Sequence, residues 1–361
     1  MDIFIKQDKF HQVVLKRYYI SPIIKKERTI KKLLCYYQEL AAHAYPTEAK
    51  LNMRLGELYD ANFHVSLSSY GTYDLFTYTL TAIDPNCLDD EAYTMECLEK
   101  TFKELCIPKM QKEQADLALF QRAYEIYESD LLSLEDNQQS IAFQKALSHY
   151  FKGTNRDFSS YGSIKELKKI TPKMLYDTYQ KLVKEETISI GTGKYPSKRE
   201  EQDITLKPKT KYQFKERGNP PFEIYEKGSS DQCYLFVLYE TGVYASDPLG
   251  PACMLLNHIL GGAASSYLFQ IVREKYGLSY SIHSTYLGAS GILVVSVILD
   301  PKDVKAGLEA IDEAIKAIDE DKFDLEEAKR HHISLHDLKE DYIETAIQNT
   351  LTDEFFLDDI K

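Results

Sequence analysis

His331, His332 and His336 stand close together, with His332 and His336 at i, i+4 and Asp337 beside them. Two imidazoles at that spacing share one face of a helix and can bind zinc. No glutamate lies between them to act on a metal-bound water, so the cluster reads as an exposed helix face that takes up nickel only adventitiously. Glu39 and His43 form a second i, i+4 pair. One carboxylate and one imidazole are too few donors for a structural or catalytic zinc site, and this pair reads as a solvated surface contact. The third candidate is Gly261 and Gly262, followed by Ser265 and Ser266. Paired glycines open backbone conformations closed to other residues, and a serine can cap the helix beginning nearby. A phosphate loop would need a strand before it and Lys-Ser or Lys-Thr after it, and the sequence offers neither. A joint between two helices is the plainer reading.

The elements that carry these residues are organised by an internal repeat. ELYDANFHVS from Glu57 reads like EKYGLSYSIH from Glu274, and Gly71 answers Gly288. Both copies then enter strand-like runs, LFTYTLTAID over residues 75–84 and ILVVSVILD over 292–300. These runs are rich in β-branched and aromatic residues and end at Asp-Pro, a helix-start signal. Each predicts an amphipathic helix next: Ala92, Met95, Leu98, Phe102 and Leu105 recur at helical spacing in the first copy, as do Val304, Leu308, Ile311, Ile315 and Ile318 in the second. Beyond them the first copy predicts helices near 113–132, 139–150 and 163–184 and a strand at 187–191. The second copy is shorter at its C-terminal end by about half of that tail.

Residues 195–221, polar and rich in Lys, Glu and Pro, read as an exposed connector. The expected division is therefore a first domain over 1–194, a linker over 195–221 and a second domain over 222–361. Strand pairs alternating with long helices, without parallel βαβ spacing, predict an α+β fold: two homologous domains, each an antiparallel sheet with helices packed on one face.

Composition narrows the function classes. With 361 residues and 43% hydrophobic content, the chain is long enough for two ordinary cores. A net charge of -12, with Lys and Arg interspersed among Glu and Asp, argues against nucleic acid as a partner. The first twenty residues carry charges throughout, and no stretch approaches the roughly 20 apolar residues of a membrane span, so the chain reads as cytoplasmic and not membrane-bound. The six cysteines lie singly in apolar settings, without CxxC spacing, and read as buried thiols.

Residues 256–280, LNHILGGAASSYLFQIVREKYGLSY, resemble the C-domain signature of the M16 (inverzincin, pitrilysin-type) peptidases: an LGGG-type turn, Ser-Ser, then LFQxVRExxGLxY. Weaker similarity covers both halves through Tyr45-Pro46-Thr47, the LGELYDANFHVS segment, SLEDN from Ser133 and ITPKMLYDTYQKL from Ile170. The resemblance implies a LuxS/MPP-like metallohydrolase fold in both domains. Active members carry H-x-x-E-H on a helix ahead of a YPS or YPT element, where two His and a distant Glu bind zinc and the motif Glu polarises its water. The corresponding helix here, KKLLCYYQEL over 31–40, holds no histidine. The resemblance thus implies an M16B-like subunit that binds no zinc, needs no cofactor of its own and is inactive alone.

The same family uses an Arg and a Tyr seven positions apart in its C-terminal half to bond the substrate backbone opposite the zinc. Arg273 and Tyr280 match that pair in type, spacing and motif, whereas the first copy has Gly56 and Phe63 there. A guanidinium and a phenol can bond a peptide carbonyl and stabilise a developing oxyanion. Otherwise Arg273 would pair with a surface carboxylate and Tyr280 would pack. The family also places substrate along an N-domain edge strand, which here implies residues 62–68, with Asn62, Phe63, His64 and Val65 at its start. The expected function is then that of the non-zinc subunit of a heteromeric zinc endopeptidase acting on peptides. Its partner would be a homologous H-x-x-E-H subunit that holds the zinc, with a homodimer as the form in isolation. The alternative is a non-catalytic structural or peptide-binding homologue.

Overall fold

A computed structural model describes residues 2–134, 137–194, 223–228, 230–320, 325–339 and 341–355. The expected connector 195–221 lies outside them. Its first elements are β1 (Ile3–Lys6), β2 (Gln12–Pro22), α1 (Arg28–Leu40), α2 (Glu48–Glu57), β3 (Asn62–Tyr70), β4 (Tyr73–Ile83) and α3 (Met95–Leu105). The short pair β5 (Met110–Gln111) and β6 (Gln114–Ala115), α4 (Leu117–Ser133), α5 (Gln138–Tyr150), α6 (Ile164–Leu167), α7 (Pro172–Leu182) and β7 (Glu186–Gly193) follow. The second half brings β8 (Cys233–Glu240), α8 (Gly250–Asn257), β9 (Ser281–Leu287), β10 (Ile292–Leu299), α9 (Val304–Glu320), α10 (Leu325–Lys339) and α11 (Glu344–Phe355). Two wide helical segments, His258–Gly262 and Phe269–Lys275, lie between α8 and β9.

The first sheet has the order β1-β7-β2-β4-β3, which leaves β3 at a free edge. The alternation in LFTYTLTAI decides its faces: Phe76, Tyr78, Leu80 and Ala82 enter the core beneath α1, while the threonines between them point the other way. Leu33, Leu34 and Tyr37 of α1 and Leu98, Phe102 and Leu105 of α3 fill that core. Side-chain caps fix several helix starts, since Thr47 accepts from the Lys50 amide, Thr94 from Cys97 and Thr171 from Met174.

The second sheet, β8-β10-β9, repeats the order β2-β4-β3 of the first. Both copies place a helix before an outer strand, a hairpin to the central strand, one 3₁₀ turn at Asp-Pro (Pro85–Cys87 and Pro301–Asp303) and then a helix. Asp60 and Gly277, equivalent in the repeat, share a left-handed backbone with φ of 58° and 63°. The hairpins differ, closing on Tyr70 and Tyr73 in the first copy but on Leu287 and Ile292 in the second. The left-handed counterpart of Gly71 is accordingly Gly291, not Gly288. Gly288 is needed for another reason, because a Cβ there would come within 2.6 Å of Ala245 Cβ.

The α+β class and the duplicated sheet-and-helix units stand, with three departures from the expected plan. β1 runs parallel to β7, so the first sheet is mixed. The compact units also do not follow the sequence halves: one holds 2–134, 158–194 and 342–355, and the other holds 137–157 with the described residues of 223–341. The third departure explains the second, for helices cover both faces of the second sheet. Leu293, Val295 and Val297 pack with α9, and Ile292 and Val294 pack with Tyr150 and Phe151 at the end of α5. The continuous apolar run ILVVSVIL requires cover on both sides, and α5 from the first half supplies it. In the first unit α11 from the second half packs against β7, with Ile347 and Leu351 completely buried.

Candidate functional site

In the antiparallel β3–β4 hairpin, closely and widely hydrogen-bonded pairs alternate from the closing pair Tyr70 and Tyr73. Residues 62, 64, 66 and 68 therefore turn their main-chain groups to β4, and Phe63, Val65 and Leu67 turn theirs to the free edge. Two of these outward groups are taken by side chains of α1. The Val65 amide donates to Glu39 Oε1 at 2.7 Å, and the Leu67 carbonyl accepts from Arg28 Nη2 at 3.4 Å. His64 Nδ1 lies 2.6 Å from the same Glu39 oxygen. Its bond to that carboxylate raises the His64 pKa above its ordinary value, while partial burial acts against the rise. Glu39 and His64 thus clasp the sheet edge from its two faces.

The polar face beside this edge forms a pocket of about 310 Å³. Asn62, His64, Ser66 and Ser68 of β3 and Thr77, Thr79 and Thr81 of β4 line it with hydroxyl, amide and imidazole groups, and Lys16 and Tyr18 of β2 complete the floor. Glu344 and Gln348 of α11 form a wall, held by a 2.5 Å ion pair between Lys16 and Glu344. Burial and the nearby Glu344 charge both raise the pKa of the Tyr18 hydroxyl. An edge whose Phe63 main-chain groups have no partner among the described residues, next to a polar pocket, can accept an extended peptide and its alternate side chains.

Arg273 and Tyr280 lie in the other unit. Arg273 sits exposed on the wide segment Phe269–Lys275, its guanidinium 4.7 Å from the centre of the Phe269 ring. Among the described residues it has no carboxylate partner. Tyr280 precedes β9 with its amide donating to Ile298 O at 3.0 Å and its side chain 62% exposed. No hydrogen bond joins the two. Among the described residues neither side chain makes an ion pair, and Arg273 rests only on the Phe269 ring. Their first-copy counterpart Phe63, by contrast, is in the core.

Gly261 and Gly262 fall in a wide helical turn, and neither has a positive φ. The expected conformational freedom is not what requires Gly261: a Cβ there would lie 2.6 Å from Ser284 Oγ and 2.7 Å from Leu268 Cδ1, so close packing on β9 excludes any side chain. Leu268, which precedes Phe269–Lys275, makes no side-chain cap. The surface pairing of Glu39 with His43 is also corrected, because α1 ends at Leu40 and Glu39 turns to His64 and Val65. His331, His332 and His336 belong to α10, and their side chains lie outside the described residues.

The zinc of active M16 peptidases finds no matching donor set on α1. Cys35 is fully buried, its pKa is pushed up to about 12 by burial, and its thiol bonds the Lys31 carbonyl. Glu39 is committed to the edge strand. Among the described residues no group of three His, Cys, Asp or Glu side chains is placed to hold a metal. Nor is any described helix long and apolar enough to cross a membrane.

Sequence reasoning missed Glu39 and Arg28 as edge caps, and α11 as a wall. The i, i+4 rule sees only partners on the same helix, and nothing local marks a carboxylate that reaches across to another strand. The hydroxyls at every second position, Ser66 and Ser68 in NFHVSLSSY and Thr77, Thr79 and Thr81 in TYTLT, did carry a signal, a polar sheet face.

Comparison with known proteins agrees with this picture. The domain family described as "Peptidase M16 inactive domain" matches residues 177–335. A Bacillus subtilis (strain 168) protein named "Probable inactive metalloprotease YmfF" is 24% identical over 328 residues, covering 87% of this chain and 76% of its own. The crystal structure of a conserved protein from Enterococcus faecalis V583 matches with a TM-score of 0.86 at 24% identity, covering 97% of this chain and 86% of that one. A peptidase M16 inactive domain from Pseudomonas fluorescens matches with a TM-score of 0.68 at 15% identity, covering 92% of this chain and 81% of that one. The VRE-GLSY segment and the duplicated sheet thus fall in a chain whose residues 177–335 match the M16 inactive-domain family and whose fold is that of M16-like structures.

Proposed function

We propose that this chain is the non-zinc subunit of a heteromeric M16-type metallopeptidase, inactive alone. A homologous partner with H-x-x-E-H supplies the zinc and the general base. This chain supplies Arg273 and Tyr280 to bond the substrate carbonyl, and the β3 edge at Asn62, Phe63, His64 and Val65 to align an extended peptide. The observation that carries the reading is the state of the pair: Tyr280 is 62% exposed, and Arg273 is exposed with no carboxylate partner among the described residues. Two such side chains inside a specific family motif are available for a ligand. Donors aimed at a developing oxyanion in a closed chamber act where they are worth most. The setting we infer is the cytoplasm, with peptides as substrates and no role in binding nucleic acid or membrane.

The test is co-expression with candidate H-x-x-E-H homologues, followed by co-purification, metal analysis and a peptide-cleavage assay. The expected result is a heterodimer with one zinc, held by the partner, and cleavage that neither chain performs alone. A second reading, a non-catalytic structural or peptide-binding homologue, is favoured by the name of the Bacillus subtilis relative. Cleavage unaffected by removing this chain would favour it.

A further inference from the structure

Glu39 holds the position that a strand added to β3 would need. Its Oε1 accepts from the Val65 amide at 2.7 Å, as a peptide carbonyl does in a β-ladder, and His64 Nδ1 steadies the same oxygen at 2.6 Å. An unpaired edge invites another chain, and a charged side chain over its main-chain groups is one way to blunt it. Arg28 blocks the same edge further along at Leu67, and that block is fixed, because the Arg28 guanidinium is buried against Asp74. Glu39 is different: its side chain is 31% exposed at the end of α1 and that of His64 is 61% exposed, so both can swing into water.

We infer that Glu39 is a displaceable gate on the β3 edge, closing it against strand addition until a peptide carbonyl takes its place on the Val65 amide. This rests on the reading of β3 as the peptide-aligning strand. The ladder that a peptide can form then runs past Phe63 and Val65 and stops before Leu67. Glu39→Ala should open the edge without unfolding the protein, since it removes one partly exposed side chain at the end of α1 and leaves the core residues beneath it in place. Glu39→Gln keeps an acceptor oxygen and removes the charge, which separates a hydrogen-bond gate from a general electrostatic effect.

The test combines amide hydrogen exchange at Val65 with fluorescence anisotropy of a labelled, extended peptide of alternating threonine and valine, flanked by lysines and with blocked termini. The Val65 amide should be protected in the wild type and at least about tenfold less protected in Glu39→Ala, which should bind the peptide about tenfold tighter. Glu39→Gln should stay within about threefold of wild type in both. Unchanged Val65 protection in Glu39→Ala overturns the gate, as does equal tightening by both variants. A freed amide with equal, measurable binding to all three proteins overturns the gate alone. A freed amide with no binding to any of them overturns the peptide reading of β3 and the gate with it.

Discussion

Asp74 Oδ1 lies 2.8 Å from Arg28 Nη1, and these side chains are only 1% and 5% exposed. Lys31 Nζ, 3.1 Å from the other Asp74 oxygen, brings a second buried cation to the same carboxylate. One anion thus anchors α1 to β4 and sets the guanidinium that bonds the Leu67 carbonyl. Removing one partner of a buried pair leaves an uncompensated charge, which costs far more than the pair's net contribution. Asp74→Ala should therefore destabilise the first unit by about 3–5 kcal/mol in urea unfolding. A loss below about 1 kcal/mol would mean that water reaches Arg28 and Lys31.

Attachment of α11 to the first sheet rests on apolar contact more than on charge. Leu351 is completely buried, whereas Glu344 of the Lys16 ion pair is half-exposed. Leu351→Ala should cost about 2–5 kcal/mol, and Glu344→Ala no more than about 1 kcal/mol. Chemical denaturation followed by a probe in the first unit distinguishes the two. The opposite ranking would show that the ion pair, not the helix face, holds α11.

The clasp at the sheet edge depends on pH in a defined direction. The Glu39 bond raises the His64 pKa above that of the unfolded chain, so protonated imidazole is favoured by folding. The stability this contributes is fully present below the unfolded pKa and is lost as pH rises through the raised folded value. NMR titration of the His64 ring should give a midpoint above the ordinary histidine value, and Glu39→Gln should bring it down. An unchanged midpoint in Glu39→Gln would assign the shift to some other group.

Much of the fold was legible because side-chain periodicity reports burial. Threonines alternating with Phe76, Tyr78 and Leu80 announced a strand with one polar face, and the pairing of Asp60 with Gly277 followed from the repeat. The unbroken run over residues 292–299 announced a strand, but the expected plan put helices on one face of each sheet and did not foresee cover on the second. That cover comes from α5, more than a hundred residues away, and long-range docking leaves no local pattern. The candidate site divides in the same way. Arg273 and Tyr280 are visible through a contiguous motif, whereas the Glu39 bond to Val65 is a tertiary contact between a helix end and a strand edge.

The most direct test of the subunit reading is the cleavage rate of the complex carrying Tyr280→Phe, with Arg273→Ala alongside. Tyr280→Phe deletes only a hydroxyl from an exposed side chain, so assembly with the zinc-bearing partner should be unaffected. If the phenol bonds the substrate carbonyl as charge develops, its loss costs on the order of 3 kcal/mol in the transition state, or roughly a hundredfold in rate. A fall of that size with partner affinity intact is the predicted result. Rates within about twofold of wild type for both variants, in an intact complex, would contradict the catalytic contribution of this chain.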